Sequence, residues 1–394
     1  MSFDWFGCKT WEQRKLKELA SFAKGSGYSK TDIKAEGTPI ILYGRLYTKY
    51  ETTINDVDTF AEAKKGSIYS KGSEVIVPAS GETAEDIARA SFVSKPGILL
   101  GGDLNIIYPN SAIEPTFLAL SISNGEQQKS LAKKAQGKSV VHLHNSDLET
   151  VQITYPTREE QRQIGTYFRT LDRLITLHQR KCETLQKLKK SMLQKMFPKN
   201  GSCFPEIRFA GFTDAWELRK LSLSFDILQN NTLSRSELSI ENGAARNVHY
   251  GDILVKYGEV LDLKTEELPF IQSSQTVDKL KGSFLQNGDI IMADTAEDET
   301  AGKCTEIANL DNMNVLAGLH TIPLRPKQKY AVGYLGYYMN SGSFHDKLLP
   351  LMQGTKVTSI SQSALQGMSI LRPADLEEQR QIGTYFRTLD HLIT

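Results

Sequence analysis

Residues Glu159–Thr176 read EEQRQIGTYFRTLDRLIT, and residues Glu377–Thr394 read EEQRQIGTYFRTLDHLIT. The two stretches are identical except that Arg173 in the first is replaced by His391 in the second. They begin 218 residues apart, far more than the period of roughly 20 to 50 residues that is typical of solenoid repeats. The sequence therefore predicts two similar halves that present the same surface twice, an arrangement suited to a partner with twofold character.

Shorter repeats between the two long ones support this duplication. Trp11-Glu12 recurs as Trp216-Glu217, and the segment Tyr43–Tyr50 recurs as Tyr250–Tyr257 with the first and last tyrosines, the glycine and the lysine in the second-to-last position kept. The offset between matching residues only grows along the chain, as expected for collinear copies that differ by loop insertions.

Composition sets the general class of the protein. The chain has 394 residues, of which 40% are hydrophobic, and a formal net charge of +1. This length gives room for two globular domains and connecting helices. The four cysteines form no CxxC pair, which favours a reducing compartment and argues against structural zinc. No apolar run resembles a signal core or a membrane span, so a cytoplasmic location is expected.

The long repeats predict helices with defined starts. Thr157 and Glu160 have the spacing of a capping box, and Asp375 and Glu378 repeat it. After the first cap, apolar residues recur at alternating spacings of four and three, which is typical of a coiled coil. The seam continues to Phe197 with an interruption at Lys189, so the helix would be about 58 Å long.

Gly165 and Gly383 lie inside these predicted helices, where glycine costs roughly 1 kcal/mol relative to alanine. Either the glycine is simply tolerated or it permits close packing against another backbone; the sequence leaves both readings open.

The regions between the helices mix β-type runs with glycine, asparagine and serine turns, and each has the length of one compact α+β domain. The predicted boundaries are a first globular domain at 1–156, a long helix at 157–198, a second globular domain at 199–373, and the start of a second, shortened helix at 374–394.

No residues form a convincing catalytic site. The chain lacks the [DNS]PP[YFW] motif of adenine methyltransferases and has no GxxxxGK[ST] phosphate loop. Asp294, Glu297 and Lys303 only loosely resemble a metal-dependent nuclease pattern. His142 and His144 could face one side of a strand as metal ligands, but without a third ligand two ordinary histidines are the simpler interpretation. We therefore predict neither catalytic nor metal-binding residues.

Two repeated features are consistent with DNA contact. The first is the mixture of aromatic and basic side chains on a β-like segment, since such side chains contact phosphates, sugars and base edges. An ordinary amphipathic strand is the alternative. The second is a pair of glycine loops beside a lysine, where the backbone could approach a phosphate; a plain turn is the alternative. The candidate residues are Tyr43, Arg45, Lys49, Tyr50, Tyr250, Lys256 and Tyr257 on the segments, and Lys138, Ser139, Thr355 and Lys356 on the loops.

The order of domain, capped helix, domain, capped helix, with P-(x)-x-x-E-E-Q-R at each helix start, resembles the specificity subunits of type I restriction–modification systems. HQRKCETLQKLKKSMLQKMFP at His178–Pro198 is similar to the helix endings of that family, and RFAGFTDAWELRKL at Arg208–Leu221 is similar to its usual entry into a target recognition domain. The resemblance covers nearly the whole chain and is most specific at the helices.

This resemblance implies a function that the residues alone do not establish. Each globular domain would be a target recognition domain that reads one half of a bipartite, interrupted site in double-stranded DNA. The long helices would pack antiparallel as a spacer and dock two modification subunits, which carry S-adenosylmethionine and methylate adenine; this chain itself would hold no cofactor. Restriction subunits would join them. The expected spacer and docking residues are Ile164, Phe168, Leu171, Ile382, Phe386 and Leu389.

The second helix is shorter than the family pattern, so part of the apolar stripe on the first helix is expected to be uncovered. The alternatives to a specificity subunit are a coiled-coil scaffold without DNA binding, an inactive truncated variant, and an enzyme. The repeated Tyr-Gly-x-x-x-x-Lys-Tyr segment suggests that the two half-sites are related; the base sequence itself is not predicted.

Overall fold

A computed structural model describes residues 11–137, 140–199, 201–354 and 356–394. The chain divides into two compact units, Met1–Leu177 and His178–Thr394. The division falls inside the long helix, so each unit takes part of it. Within the described ranges, every helix is too short or too polar to cross a membrane.

The first unit combines short strands with a few helices. Its strands are β1 (Glu12–Lys15), β2 (Ala20–Lys24), β3 (Ile33–Lys34), β4 (Thr38–Ile41), β5 (Thr53–Ile54), β6 (Phe60–Ala61), β7 (Tyr69–Lys71), β8 (Val75–Pro78), β9 (Ser80–Gly81), β10 (Ser91–Val93), β11 (Pro96–Leu100), β12 (Leu104–Pro109), β13 (Val141–His142) and β14 (Gln152–Tyr155). Its helices are α1 (Leu16–Leu19), α2 (Arg45–Thr48), α3 (Pro115–Ser123), α4 (Gly125–Lys134), α5 (Asn145–Glu149) and the beginning of α6 (Arg158–Lys195).

The second unit has the same kinds of elements. Its strands are β15 (Glu217–Lys220), β16 (Phe225–Ile227), β17 (Leu238–Ser239), β18 (Ala245–Val248), β19 (Val260–Asp262), β20 (Phe270–Ile271), β21 (Ile290–Ala293), β22 (Thr295–Ala296), β23 (Cys304–Ala308), β24 (Val315–Ala317), β25 (Thr321–Pro326), β26 (Thr358–Ser359) and β27 (Ser369–Arg372). Its helices are α7 (Leu221–Ser224), α8 (Tyr250–Val255), α9 (Ser274–Lys279), α10 (Tyr334–Asn340), α11 (Gly342–His345), α12 (Gln362–Gln366) and α13 (Leu376–Ile393).

The sheets of the two units have matching strand orders. The main sheet is β2-β12-β8-β10-β5 in the first unit and β16-β25-β21-β23-β19 in the second. A second sheet is β3-β6-β4-β11-β7 in the first and β17-β20-β18-β24 in the second. The outer pairs also correspond, β1-β14 with β15-β27 and β9-β13 with β22-β26. The molecule is therefore an α+β protein made of one topology used twice, as the repeats predict.

The cores follow from the burial of these sheets. In the first unit, aliphatic side chains of β8, β12, α3 and α5 form one cluster, and a second lies between β4, β11 and β12. In the second unit a large aromatic cluster joins β21, β25 and α10 to Phe386 of α13 and to Phe197, which follows α6. We call residues 178–197 the α6 end. The spacer helices are thus part of the hydrophobic core of the unit they join.

Each repeated helix is fixed to its unit by the same buried glutamine. Gln161 and Gln379 are both completely buried. The Gln161 amide donates to the carbonyls of Pro156 and Ala112, and its oxygen accepts from the Glu114 backbone at 2.9 Å. Gln379 likewise donates to the Pro373 carbonyl and accepts from a backbone N–H. A buried amide needs such partners. The repeated EEQRQ sequence therefore starts a helix and also attaches that helix to its unit.

The predicted N-cap residues Thr157 and Asp375 are confirmed, whereas the acid predicted for the second capping box is wrong. The Thr157 hydroxyl accepts from the Glu160 backbone, and the Asp375 carboxylate accepts from the backbone of Glu377 at 2.7 Å. Glu378, however, is buried and binds Arg208 instead of closing a capping box. The charge-assisted hydrogen bonds between Glu378 and Arg208 are stronger than the local capping interaction that they replace.

The end of α6 and α13 run antiparallel within the second unit. The Cys182 thiol lies 3.4 Å from the Ile393 carbonyl, and the rings of Phe197 and Phe386 stack at 5.9 Å. Between these contacts, the Lys189 ammonium lies 2.6 Å from the Asp390 carboxylate and 2.8 Å from that of Glu259. The lysine that interrupts the apolar seam is thus a paired charge, a device that fixes helix register.

The first part of α6 presents the same sequence as α13 in a different environment. Tyr167 is 62% exposed and Phe168 42% exposed, whereas their equivalents in α13 are half-buried and fully buried respectively. We call this surface the exposed stripe; it consists of Tyr167, Phe168, Leu174, Ile175 and Leu177. The expected uncovered apolar surface on the first helix is present.

Candidate nucleic-acid interface

The repeated aromatic and basic segments form short helices, not the strands that the sequence suggested. The Leu46 and Tyr47 amides donate to the carbonyls of Tyr43 and Gly44, which makes a helical turn directly after β4. Leu46 in α2 and Ile253 in α8 are buried. The prediction of strands was wrong because the apolar residue at the centre of each segment anchors one helical turn instead of alternating along a sheet.

The basic residues of the first segment are held by acids of their own unit. The Arg45 side chain is only 8% exposed and its guanidinium lies 2.6 Å from Asp58 and 2.7 Å from Glu51. The Lys49 ammonium lies 2.7 Å from the second Asp58 oxygen. Hydrogen bonds from Lys49 and Arg45 lower the pKa of Asp58 to about 2. Arg45 therefore organises the turn after α2, and Lys49, which is half exposed, is the more accessible of the two.

The tyrosines of the first segment have different roles. The Tyr50 hydroxyl donates to the Ala90 carbonyl at 3.2 Å, and Tyr43 leaves 37% of its surface exposed. Tyr47, which the sequence did not single out, donates its hydroxyl to the Ser80 carbonyl at 3.0 Å. The Ser80 hydroxyl in turn lies 3.1 Å from Nδ1 of His142. This chain of contacts brings α2 beside the β9-β13 pair and so beside the first glycine loop.

In the second segment the predicted residues also divide between core and surface. Tyr257 is 3% exposed, and burial raises its pKa. The Lys256 ammonium, half exposed, lies 2.9 Å from Glu266. The Tyr250 ring is partly exposed and lies between two histidine rings, with centroids 4.8 Å from His249 and 5.3 Å from His320.

The two glycine loops are closed by equivalent backbone bridges. The Gln136 and His142 backbones bond to each other, as do those of Gln353 and Ser359. Gly137 and Gly354 have φ values of 144° and 108°, and a Cβ on either would lie within 2.0 Å of a carbonyl of its own loop. The glycines thus close the turns. Lys356 is exposed, while Lys138, Ser139 and Thr355 lie outside the described residues.

Sequence reasoning missed a matched pair of exposed residues beside these segments. Asp103 and His320 precede β12 and β25 and have left-handed φ values of 56° and 55°. The Asp103 carbonyl accepts from the Ala79 backbone at 2.7 Å, and the His320 carbonyl accepts from the Asp294 backbone at 3.1 Å. Neither residue belongs to a repeated motif, so only their equivalent backbone positions reveal the pair.

Lys303 and Asp294, which loosely resemble part of a nuclease pattern, both make structural contacts. The Lys303 ammonium donates to the Leu254 carbonyl at 2.9 Å, and burial lowers its pKa. Asp294 accepts from the Thr295 hydroxyl at 2.7 Å. No group of three potential metal ligands occurs in the part of the chain that the structure describes.

The predicted spacer and docking residues fall into two classes. Ile164 packs against the first core, Leu171 is partly exposed, and Phe168 belongs to the exposed stripe. Their equivalents Ile382, Phe386 and Leu389 are 2%, 0% and 6% exposed in the second core. The α6 end and α10 cover these three residues, so their burial agrees with the predicted spacer role, and partner docking on them stays a prediction.

Comparison with known proteins gives a consistent result. Residues 8–187 match the family described as type I restriction modification DNA specificity domain. A type I restriction enzyme MjaVIII specificity subunit from Methanocaldococcus jannaschii is 25% identical over 97% of this chain and 87% of its own length. The putative MjaX specificity subunit from the same organism is 27% identical over 54% of this chain and 52% of its own length.

A solved structure has the same fold. The S subunit of a type I restriction–modification system from M. genitalium superposes with a TM-score of 0.57 over 98% of this chain and 91% of that chain, at 14% sequence identity.

Proposed function

Because residues 8–187 match the type I restriction modification DNA specificity domain and a type I specificity subunit is similar over 97% of this chain, we propose that this chain is such a specificity subunit and that each of its units reads one half of an interrupted site in double-stranded DNA. The observation that carries the proposal is that one α+β topology occurs twice, each time joined to the same helix sequence by the same buried glutamine. Two equivalent reading units in one chain suit a site with two separated halves.

The layout of each unit supports reading by the end remote from its helix. In the first unit, β12 begins just after Asp103, and the chain that follows the strand meets α6 at Glu114. Six strand residues span about 20 Å. We call the end where β12 begins the loop end of the first unit, and the end where β25 begins the loop end of the second. The loop ends carry α2, α8 and the glycine loops, so they hold the candidate DNA contacts.

The helices would set the spacing and recruit partners. A continuous helix of 38 residues, about 57 Å long, links the two units and would set the number of unread base pairs. We place the docking of a modification subunit on the exposed stripe. The equivalents of Tyr167 and Phe168 in the second unit, Tyr385 and Phe386, pack in the core of that unit, and an apolar face of this kind is what a partner helix recognises.

Docking is tested by a charge in the stripe. Phe168→Glu should reduce co-purification of the modification subunit at least tenfold, because it would bury a carboxylate in an apolar contact. Leu223→Glu is the matched control, since Leu223 is 72% exposed in the second unit and lies outside the stripe. Equal co-purification of the two variants would disprove docking on the stripe.

The function itself is tested by mapping adenine methylation in a host that expresses this chain with its modification subunit, which would carry S-adenosylmethionine. A host that lacks only this chain is the control. The expected result is a new bipartite motif methylated on both strands. No new methylation, with the complex shown to form, would refute the proposal.

A further inference from the structure

The residues that the two repeated segments share are mostly structural. Tyr257 is buried, and the Tyr50 hydroxyl is bonded to its own unit. Lys49 and Lys256 each pair with a neighbouring acid. Their repetition therefore reflects the repeated fold, and it gives no reason to expect that the two half-sites share a sequence.

The exposed side chains at the loop ends differ instead. Asp103 and His320 are both exposed, and each follows the strand that lies parallel to β4 or β18 in its unit. Their φ values and backbone hydrogen bonds match, yet one carries an acid and the other an imidazole. The two positions share a backbone conformation but carry different side chains. This is expected of positions that contact different ligands in two copies of one fold.

The surroundings of His320 hold it in place. Its Nδ1 lies 3.5 Å from a carboxylate oxygen of Asp294, and its ring packs edge-on against Tyr250. Among the described residues, Nε2 of His320 has no hydrogen-bond partner. A ring nitrogen that can donate or accept is thus left for a ligand at the loop end of the second unit.

An acid at Asp103 is informative if this surface meets DNA. Phosphates repel a carboxylate, so it contributes to binding only where it accepts from an exocyclic amino group on a base edge. The left-handed φ of Asp103 and His320 is an uncommon conformation for residues other than glycine, and it is kept at both positions.

We propose that Asp103 and His320 are the equivalent base-reading residues of the two units, Asp103 accepting from an amino group such as cytosine N4 and His320 contacting a purine acceptor edge. The two half-sites therefore differ at the corresponding position. This inference rests on the proposed function and adds to it the residue in each unit that discriminates bases.

The test uses Asp103→Asn and His320→Asn, because asparagine tolerates a left-handed backbone and so preserves the fold. Methylation motifs are mapped for the complex of each variant with the modification subunit. We expect each variant to relax or change one base position in one half-site only, with discrimination at that position reduced roughly 10- to 100-fold. The two variants should affect opposite half-sites, so the unaffected half-site is an internal control.

Asp311→Asn is the matched control outside the loop end. Asp311 is exposed and has a φ of 49°, but it precedes β24, whereas Gly318 and His320 follow that strand. It should leave both half-sites unchanged.

The outcomes separate the two proposals. Absence of a bipartite motif with the wild-type chain would refute the proposed function. A wild-type motif that remains unchanged in both variants would overturn the present inference alone. If a variant methylates too little DNA to map, its purified complex is tested for binding to duplexes substituted at each position of the motif. Discrimination equal to that of the wild type at every position would also overturn the inference.

Discussion

The repeated helices offer a matched pair of substitutions, Gly165→Ala and Gly383→Ala. A Cβ on Gly383 would lie 2.5 Å from the Val332 carbonyl oxygen and 3.2 Å from the Tyr334 nitrogen, both of which are backbone atoms. A Cβ on Gly165 would meet nothing closer than 3.2 Å, and its three nearest neighbours are side-chain atoms of Glu114 and Thr116. The helix sequence around the two glycines is the same, so the gain in helix propensity should be the same.

The expected magnitudes follow from these distances. Alanine gains about 1 kcal/mol over glycine in a helix, and overpacking costs about 1–3 kcal/mol, at the upper end where backbone must shift. Gly383→Ala should therefore lower the stability of the second unit by about 1–2 kcal/mol. Gly165→Ala should change that of the first unit by less than about 0.5 kcal/mol in either direction.

Hydrogen exchange measured by mass spectrometry resolves the two units in the intact chain. The probes are the buried strands β8 and β21, whose amides exchange only when their unit opens. Gly383→Ala should speed exchange of β21 about tenfold, since about 1.4 kcal/mol corresponds to a factor of ten, and should leave β8 unchanged. The argument from close packing would be refuted if Gly165→Ala accelerated exchange of β8 as much as Gly383→Ala accelerates exchange of β21.

Two further predictions concern buried charge in the second unit. Burial raises the pKa of Glu306 from 4.5 to about 7, so the folded state favours the neutral acid. The contribution of neutral Glu306 to the free energy of unfolding is complete below about pH 4.5. About 3 kcal/mol of that contribution is lost as pH rises through about 7. Urea unfolding followed by fluorescence of the buried Trp216 should show this loss in the wild type and not in Glu306→Gln; parallel pH profiles would contradict it. Arg208→Met should cost about 3–5 kcal/mol because it strands the buried Glu378 carboxylate. Adding Glu378→Gln to Arg208→Met should recover part of the lost stability. If Arg208→Met alone is as stable as the wild type, the Arg208–Glu378 pair contributes nothing to stability.

The sequence was sufficient for the features that depend on local pattern or on repetition. The capped helices, the α+β class and the duplication all follow from residue spacing. The outcome for Gly165 and Gly383, in contrast, depends on what each helix packs against. Both lie in close contact, but one faces side chains and the other faces backbone, a difference that the identical helix sequences cannot encode.

The candidate site was less predictable because its residues meet only in the folded unit. Arg45 looks like a phosphate ligand in the sequence, yet two acids that lie 6 and 13 residues further along the chain neutralise it. Asp103 and His320 carry no motif and are matched only by φ and by one backbone hydrogen bond. Arg208 and Trp216 lie in the quoted RFAGFTDAWELRKL segment, but their bonds to Glu378 span 170 and 162 residues.

The repeated helix shows why a shared sequence does not imply a shared role. Phe168 and Phe386 occupy the same position in identical segments, and so do Asp172 and Asp390. Phe386 stacks on Phe197, and the Asp390 carboxylate pairs with Lys189 of the α6 end. Phe168 and Asp172 are exposed, so the apolar and acidic groups that fix register in one copy are available to a partner in the other. A helix that covers the exposed stripe should therefore bring a basic residue to Asp172 as well as apolar side chains to Phe168.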